Sequence, residues 1–509
     1  MEENILLKND FDSLSKLSFQ SGTSSKDIFE KIGQLDKKYQ NNEIYQLSIN
    51  GLICNIGSDL SSIPLLNYAL KRIYLKKDLI DPNKYNYDFG NILFSKASIE
   101  VSNDDYFYKL LKNKTYREAQ KYFLKVKYDK YGHYERARTN LAIIFERYGR
   151  NYEAINSFDQ VIKNNPKFGM AYGGKAVSLE YYTRLAPQQS LLLLDISLKL
   201  LNDAFKDNNL LEVGGVSSFN YYKNYKEKIE NYFNEINYNP SDNSLPKNLS
   251  KYQKFIISNN LFLNFDFGYY YDKDSIVDNF FPKLVESFDD KKYAKNNIMS
   301  KKTYFCFQVF NQIVEDFTTS RYSYFHALIV KHKKIDNRIK FVYTFDYTKH
   351  SLKYGLLKSV FTSLYNCLDK IAHILKYYYL DENEFDGIDT YFDWLSTNEY
   401  KSIVKSNGHF QLLALHNLSL DMKSGGCYQH LAKIRNRITH SFLNVNIDIG
   451  FNEKYGAFEI TEDQLEQYIN ELFIIVKAAL MYVIIAFQHL NEVDNSFPMF
   501  ATLQNDIYK

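Results

Sequence analysis

The sequence predicts an all-α protein, in which an amino-terminal α-solenoid of helical hairpins precedes a carboxy-terminal helical bundle with minor β-hairpin insertions. Three observations support this prediction. Alanine and phenylalanine recur at a fixed spacing in the first half, apolar residues at helical spacing fill the second half, and a turn-rich stretch with two prolines at residues 237–246 lies between them. We expect residues 1–230 to form the solenoid, 231–300 a connecting segment, 301–495 the bundle and 496–509 a tail.

The repeat pattern is clearest between residues 135 and 168. Ala142 and Ala154 let two antiparallel helices approach closely, and Pro166 ends the second helix because it has no amide donor. The pattern resembles a tetratricopeptide repeat. The matching positions are Leu141, Ala142, Phe145, Ala154, Phe158, Val161 and Pro166.

The same pattern extends on both sides of this repeat. Ala119 and Phe123 repeat it about one unit upstream, and Tyr172 and Ala176 open another helix downstream. Because a single repeat cannot bury its own face, earlier helices must supply preceding repeats or a cap. We therefore predict a solenoid from about residue 20 to 230, whose first helical positions are Ile28, Ile32 and Leu35.

Four long helices are predicted in the second half, at about residues 303–330, 357–379, 428–443 and from about 461 to 490. Thr461 and Gln464 form a capping-box signature at the start of the last helix. The core-facing stripe of the second helix is expected to be Leu357, Val360, Leu364, either Cys367 or Leu368, Ile371 and Ile374.

Two short extended segments interrupt the helical pattern. Alternating apolar residues from Ile339 to Phe345 predict one short strand. A small hairpin is predicted around the turn-like residues 452–456, with Ile447 and Ile449 before the turn and Phe458 and Ile460 after it.

An arginine and a histidine, Arg435 and His440, are separated by four residues on the helix predicted at 428–443. At about 100° per residue, Asn436 and His440 project together from one side, and Arg435 lies on the flank of that side. The opposite face is apolar and is expected to face the core. Its residues are Leu431, Ile434, Ile438 and Phe442.

This motif is similar to the R-x4-6-H motif of the HEPN superfamily, whose members are helical bundles and are often ribonucleases. Two further segments resemble the LA2681-like HEPN family: Ser363–His373 is similar to its YSxxDKIA helix, and Lys251–Asn264 to its EYxxW…LFLN segment. The resemblance covers roughly residues 250–495. Phe255 stands where the family usually has tryptophan, an exchange that keeps a large apolar ring.

The resemblance implies cleavage of RNA without a metal, a 2′,3′-cyclic phosphate product and a dimer in which two motif helices meet. His440 is then expected to transfer protons, a task suited to imidazole at neutral pH. Arg435 would offset negative charge in the transition state, and Asn436 would orient the imidazole or the substrate. Arg437 and Thr439 are expected to assist substrate contact. The alternative is that the motif is a solvated basic face.

The helix predicted at residues 357–379 supplies further candidates, Asp369 and Lys370. The resemblance places this helix beside the motif helix, so Asp369 is a candidate to orient His440 or Arg435. An internal salt bridge or a solvated face is the alternative for both residues. Glu315, on the polar side of the helix predicted at residues 303–330, is another candidate, again with a solvated face as the alternative.

The composition excludes several classes of protein. With 63 Lys and Arg against 60 Asp and Glu, the net charge of +3 is too small to indicate nucleic-acid binding, so any RNA contact must be local. The four cysteines lack Cys-x-x-Cys spacing, which argues against a disulfide scaffold or structural zinc and fits a reducing cytoplasm. No metal and no cofactor are expected. The longest apolar run, residues 472–487, contains Lys477 and is shorter than the ~20 residues that span a bilayer, so we expect a buried helix and no membrane partner.

Together these features predict a metal-independent endoribonuclease, active as a homodimer or higher homo-oligomer. The tetratricopeptide-like domain is expected to bind a protein partner or trigger, and the architecture resembles bacterial toxins and antiphage effectors. One alternative is a non-catalytic scaffold whose bundle serves dimerisation or nucleotide binding. Another is a target of nucleotide transfer or an antitoxin partner. The presence of Arg435, Asn436 and His440 together favours catalysis.

Overall fold

The computed structural model describes residues 2–20, 23–102, 104–183, 190–206, 209–238, 247–269, 276–280, 301–330, 332–342, 348–380, 390–446 and 458–492. The chain divides into two compact units: Met1–Ser178 with Leu198–Lys228, and Leu179–Ser197 with Ile229–Lys509. The described residues are mainly helical, with one two-stranded sheet among them, which confirms the all-α prediction.

The helices of the amino-terminal half begin after capping side chains such as Ser24, Asn42 and Ser62, each of which accepts a backbone N–H of the first turn. A 3-10 turn at Lys77–Leu79 joins α4 to α5, and α12 is broken at Gly215, where φ is 68°. The helices are α1 (Glu2–Ser18), α2 (Ser25–Lys38), α3 (Glu43–Asp59), α4 (Ile63–Leu75), α5 (Pro82–Val101), α6 (Tyr106–Lys112), α7 (Thr115–Lys125), α8 (His133–Arg147), α9 (Asn151–Asn164), α10 (Gly169–Thr183), α11 (Ser190–Ala204) and α12 (Asn209–Glu235).

Helices α8 and α9 pack against each other as the repeat pattern predicts. Helix α7 packs on α5, and the short helix α6 lies between them in the chain. The amino-terminal helices are consistent with an all-helical solenoid. The predicted repeat positions are buried: Ile28, Ile32, Leu35, Ala119, Phe123, Leu141, Ala142, Phe145, Ala154, Phe158, Val161 and Ala176.

The four long helices predicted in the second half are present, and they begin and end within a few residues of the predicted positions. A 3-10 turn at Phe392–Ser396 lies among them. The elements are α13 (Lys251–Ser258), α14 (Lys301–Ile329), α15 (Lys333–Asp336), α16 (Leu352–Tyr379), α17 (Asn398–Asn407), α18 (Phe410–Met422), α19 (Gln429–His440), β1 (Leu443–Asn446), β2 (Phe458–Thr461) and α20 (Glu462–Glu492).

Helix α16 is central to the bundle, since it packs against α14, α19 and α20. The predicted core stripe of α16 is buried throughout, from Leu357 to Ile374. Helix α20 is long and apolar enough to cross a membrane by composition, but 83% of its apolar window is buried, as in the core helix of a soluble protein. The predicted capping box is also present, because Thr461 and Gln464 exchange backbone-to-side-chain hydrogen bonds of 3.0 and 3.2 Å.

The small sheet differs from the predicted hairpin. Strands β1 and β2 pair in parallel, with Leu443 opposite Phe458 and Asn446 opposite Thr461, so they are not joined by a tight turn. The predicted turn at residues 452–456, with Ile447 and Ile449, lies outside the described residues. The strand predicted at Ile339–Phe345 is absent from its described part, residues 339–342, and the rest of it also lies outside. Only an isolated bridge between Thr348 and Asn446 extends the pairing nearby.

A buried polar network ties the segment after α13 to the bundle. Arg321 of α14 donates hydrogen bonds to the Leu261 carbonyl at 2.9 Å and to both carboxylate oxygens of Asp278 at 2.8 Å. Lys477 of α20 donates to the carbonyl and side-chain oxygens of Asn260 at 3.3 and 3.2 Å. Burial lowers the pKa of Lys477 to about 7. The segment that begins at Asn260 is therefore held by two of the long helices.

Candidate functional site

The loop before α19 determines where the motif helix starts. Gly425 has a φ of +79°, and Gly426 lies so close to Asp421 that an added Cβ would come within 2.2 Å of the Asp421 carbonyl oxygen. The Tyr428 amide donates to that same carbonyl at 2.8 Å. The two glycines thus permit a tight turn immediately before α19.

Helix α19 lies on α16 through a shorter apolar stripe than predicted. Leu431 and Ile434 are fully buried, whereas Ile438 is half-buried and Phe442 is 52% exposed. The prediction that all four residues face the core is wrong for Phe442, because the helix ends at His440. Lys358 of α16 then binds the Leu443 carbonyl at 2.6 Å, where β1 begins.

The polar face of α19 is open to solvent, as predicted. Asn436, Arg437, Thr439 and His440 are all exposed. His440 occupies the last position of the helix. The Thr439 hydroxyl is engaged locally, since it donates to the Arg435 carbonyl at 2.9 Å.

The guanidinium of Arg435 turns back toward α16. It lies 5.6 Å from the centre of the Tyr365 ring and 3.7 Å from the nearest Asp369 carboxylate oxygen, and it donates to the Asn436 side chain at 3.3 Å. Its Nε is buried and has no hydrogen-bond partner among the residues described. Within one chain, therefore, the described contacts of Arg435 are with α16 and Asn436, and none joins it to His440.

Asp369 is a partly buried carboxylate with two partners. One oxygen accepts the Phe392 backbone N–H at 2.8 Å, and the other faces Arg435. Burial raises the pKa of Asp369 to about 6, although the Phe392 N–H and the Arg435 guanidinium oppose that rise. Asp369 therefore links the 3-10 turn, helix α16 and the motif helix, and its contact is with Arg435, not with His440.

The other two candidates lie away from the motif. Lys370 forms an ion pair with Asp316 of α14 at 2.5 Å, which corresponds to the internal salt bridge of the alternative interpretation. Glu315 is exposed on α14 and has no described contact with Arg435, Asn436 or His440. Neither residue is brought to the motif face within a single chain.

Sequence reasoning missed two contributors to the arrangement around Arg435. Tyr365 precedes Asp369 by four residues, so the sequence could have predicted that the two side chains share one face of the helix. Phe392 contributes through its backbone amide, a role that no side-chain pattern signals. Among the described residues, no cluster of three His, Cys, Asp or Glu side chains forms a candidate metal site.

The bundle carries an Arg-x4-His helix on its surface, an arrangement similar to that of HEPN domains. Residues 299–489 match the model of the LA2681-like HEPN family, so this chain carries an LA2681-like HEPN domain. The match begins after Lys251–Asn264, so that the EYxxW…LFLN resemblance lies outside it. No curated protein matches the chain, and no solved structure matches it.

Proposed function

We propose that this protein is a metal-independent endoribonuclease of HEPN type that acts as a homodimer. The LA2681-like HEPN match supports a nuclease or nucleotide-related role in general. The observation that carries the more specific proposal is the open face of α19, where His440 and Asn436 are exposed one helical turn apart and Arg435 stands on the flank. We further propose that the protein serves as a toxin or antiphage effector, controlled through its amino-terminal repeats.

The proposed chemistry uses the nucleophile that RNA itself carries. The 2′-oxygen attacks phosphorus as it loses its proton, and the bond from phosphorus to the 5′-oxygen breaks as that oxygen gains a proton. Two proton transfers therefore suit two imidazoles, one from each protomer, with His440 as the catalytic group. Among the described residues, the Nε of Arg435 has no hydrogen-bond partner, and the ion pair of Arg435 with Asp369 is long, at 3.7 Å. A phosphate can replace that ion pair by stronger charge-assisted hydrogen bonds.

Exposed apolar side chains beside the motif support the dimer. Phe442, two residues after His440, is 52% exposed, and Val342 is 83% exposed. Phe341, also half exposed, stacks on His350 with ring centres 5.6 Å apart, and the neighbouring Lys349 amide donates to the Val445 carbonyl of β1. These contacts connect the segment around Phe341 to β1, the strand that follows α19. Such a patch is typical of a surface that a second copy covers.

The test is cleavage of a purified unstructured RNA by the wild-type protein and by His440→Ala, in excess EDTA. We expect the wild type to cleave and to leave 2′,3′-cyclic phosphate ends, and the variant to be slower by about a hundredfold or more. The matched control is His430→Ala, because His430 lies on the same helix but pairs with Glu471 at 2.7 Å. Equal cleavage by wild type and His440→Ala, or complete loss of cleavage in EDTA, contradicts the proposal.

One observation favours a second candidate, a non-catalytic scaffold. Arg435 is engaged by Tyr365, Asp369 and Asn436 within the chain, as in a structural contact. In that case the bundle mediates dimerisation or binds a nucleotide, and the amino-terminal repeats carry the biological function. A protein that dimerises but leaves RNA intact, with and without His440, supports the scaffold.

A further inference from the structure

A cavity of about 480 Å³ opens on the first unit between α4, the 3-10 turn, α5 and α7. Its floor is formed by Ile80 and Tyr85, which are 6% and 5% exposed. Its size lies in the range of specific ligand sites, about 300–1,000 Å³. None of its residues belongs to the candidate nuclease site.

The walls of this cavity are rich in phenol rings and hydrogen-bond donors. Tyr85 and Tyr122 meet edge to face with ring centres 6.4 Å apart, and Tyr74 at the rim is 64% exposed. Burial raises the pKa values of Tyr85 and Tyr122, and their two hydroxyl groups hydrogen-bond to each other. These rings favour an occupant that offers an apolar or aromatic face.

The rim carries more positive than negative charge. The exposed Lys77 and Lys125 face the cavity with Asp78 as the acidic residue, and the Lys125 ammonium lies 5.0 Å from the centre of the Tyr122 ring. Opposite charge on a partner would increase both its rate of association and its specificity. The charge thus selects an acidic occupant.

Large apolar side chains continue outside the cavity. Leu75 is 72% exposed and Leu79 is 79% exposed, on the two sides of the short link that carries Lys77. A small molecule held inside the cavity would leave these leucines in water, whereas a protein segment that crosses the rim would cover them. The surface beyond the cavity therefore favours a macromolecule.

We propose that this cavity and its rim bind an acidic segment of a partner protein, which inserts an aromatic or large aliphatic anchor above Ile80 and Tyr85. Carboxylates that flank the anchor pair with Lys77 and Lys125, and neighbouring apolar residues cover Leu75 and Leu79. The inference rests on the proposed control function of the amino-terminal repeats and does not involve the nuclease chemistry.

The experiment measures binding to the full-length protein by fluorescence anisotropy. The probe is a fluorescein-labelled peptide in which glutamates flank a central Phe-Leu pair on both sides, and no RNA is present. We expect saturable binding that weakens with added salt, and little binding of the same peptide with lysines for glutamates or alanines for Phe-Leu. The double variant Lys77→Glu, Lys125→Glu should weaken binding about tenfold or more, and Tyr74→Ala about tenfold.

The matched control is Lys163→Glu, because Lys163 is an exposed lysine near the end of α9, as Lys125 is at the end of α7. It should bind the probe as the wild type does, and circular dichroism should show all variants folded. Tyr74→Ala keeps the test valid if the lysine variant does not fold, since Tyr74 is mostly exposed. No saturable binding of the acidic probe, or unchanged binding by folded cavity variants, overturns the proposal. Saturable binding of a fluorescent AMP analogue, with no peptide binding, also overturns it and identifies a small-molecule site.

Unimpaired His440-dependent cleavage in a protein that fails to bind the acidic peptide would reject this inference alone. Peptide binding without any cleavage would instead reject the nuclease proposal and keep the docking site. The two outcomes are therefore distinguishable in the same preparations.

Discussion

Arg435 and Asp369 determine the electrostatics of the candidate site at the scale of single residues. The two groups are 3.7 Å apart, and each is less than one-fifth exposed. Because the ionised Asp369 is only loosely paired, burial prevails and raises the pKa of its carboxyl to about 6. Protonation of Asp369 near that pH removes the negative charge that faces Arg435. In the proposed nuclease, we expect this to make the guanidinium more available to a phosphate.

The first prediction concerns the variant Asp369→Asn. The folded-state pKa of Asp369 is raised from 3.8 to about 6, so the folded protein binds more protons than the unfolded chain between these values. Wild-type stability should therefore fall as pH rises through about 4 to 6, by roughly 2 kcal/mol relative to the asparagine variant. Urea unfolding at several pH values measures this difference.

The matched control for this prediction is Asp463→Asn, since Asp463 is an exposed carboxylate in the same unit and is not among the groups that shift the pKa of Asp369. Its stability should follow the wild-type pH profile. Parallel profiles for the wild type and Asp369→Asn would contradict the raised pKa.

At the scale of secondary-structure elements, the first turn of α20 anchors the region around the two-stranded sheet. The Glu462 carboxylate accepts hydrogen bonds from Lys349 at 3.0 Å, from the Tyr354 hydroxyl at 2.5 Å and from Lys353. These hydrogen bonds join α20 to the start of α16 and to Lys349, whose backbone amide donates to β1. Burial alone would raise the pKa of Glu462, but the hydrogen bonds from Lys353, Tyr354 and Lys349 outweigh it and lower that pKa to about 2.

We predict that Glu462→Gln lowers the free energy of unfolding at pH 7 by about 1 kcal/mol, a value reduced for the partial exposure of these ion pairs. The stabilisation by a carboxylate with a lowered pKa is complete above its usual pKa of 4.5 and is lost as pH falls toward 2. The difference in the free energy of unfolding between the wild type and Glu462→Gln should therefore become smaller below pH 4.5. Chemical denaturation across this range measures it.

Glu466→Gln serves as the control on the same helix, because its described ion pair is a single contact with Lys353 at 3.0 Å. Glu466→Gln should lower the free energy of unfolding at pH 7 by less than Glu462→Gln does. An equal or larger cost for Glu466→Gln would show that the three-partner cluster is not the anchor.

At the scale of the whole molecule, the proposed nuclease requires a second copy of the chain. The exposed apolar groups near the motif are the proposed contact between the two copies. We predict that Phe442→Glu yields a folded monomer without ribonuclease activity, since a charge in the apolar contact is costly to bury. Light scattering should give a dimer for the wild type and a monomer for the variant. Val216→Glu, at a residue 65% exposed in the first unit, should leave the dimer intact.

A wild-type protein that is monomeric at all concentrations would reject the shared cleft. An active dimer of the Phe442→Glu variant would instead place the contact elsewhere. In either case cleavage by His440→Ala remains an independent measurement of the chemistry.

Local periodicity was enough to predict most of the molecule. The stripe of α16, the buried alanines of α7 to α9 and the capping box at Thr461 all depend on residues a few positions apart, whose relation the helix itself determines. The same periodicity placed Asn436 and His440 together on an exposed face. Composition and spacing therefore determined the all-α class, the helices and the polarity of the motif helix.

Only the tertiary structure decided what depends on groups far apart in the chain. The parallel pairing of β1 with β2, the contact of Arg435 with Asp369 and Tyr365, and the pairing of Lys370 with Asp316 all join separate elements. A single-sequence pattern records the face on which a side chain lies, but not which neighbouring element meets that face or where a long side chain turns. For that reason the sequence determined the candidate residues of this protein, whereas the packing of its helices decided which of them touch.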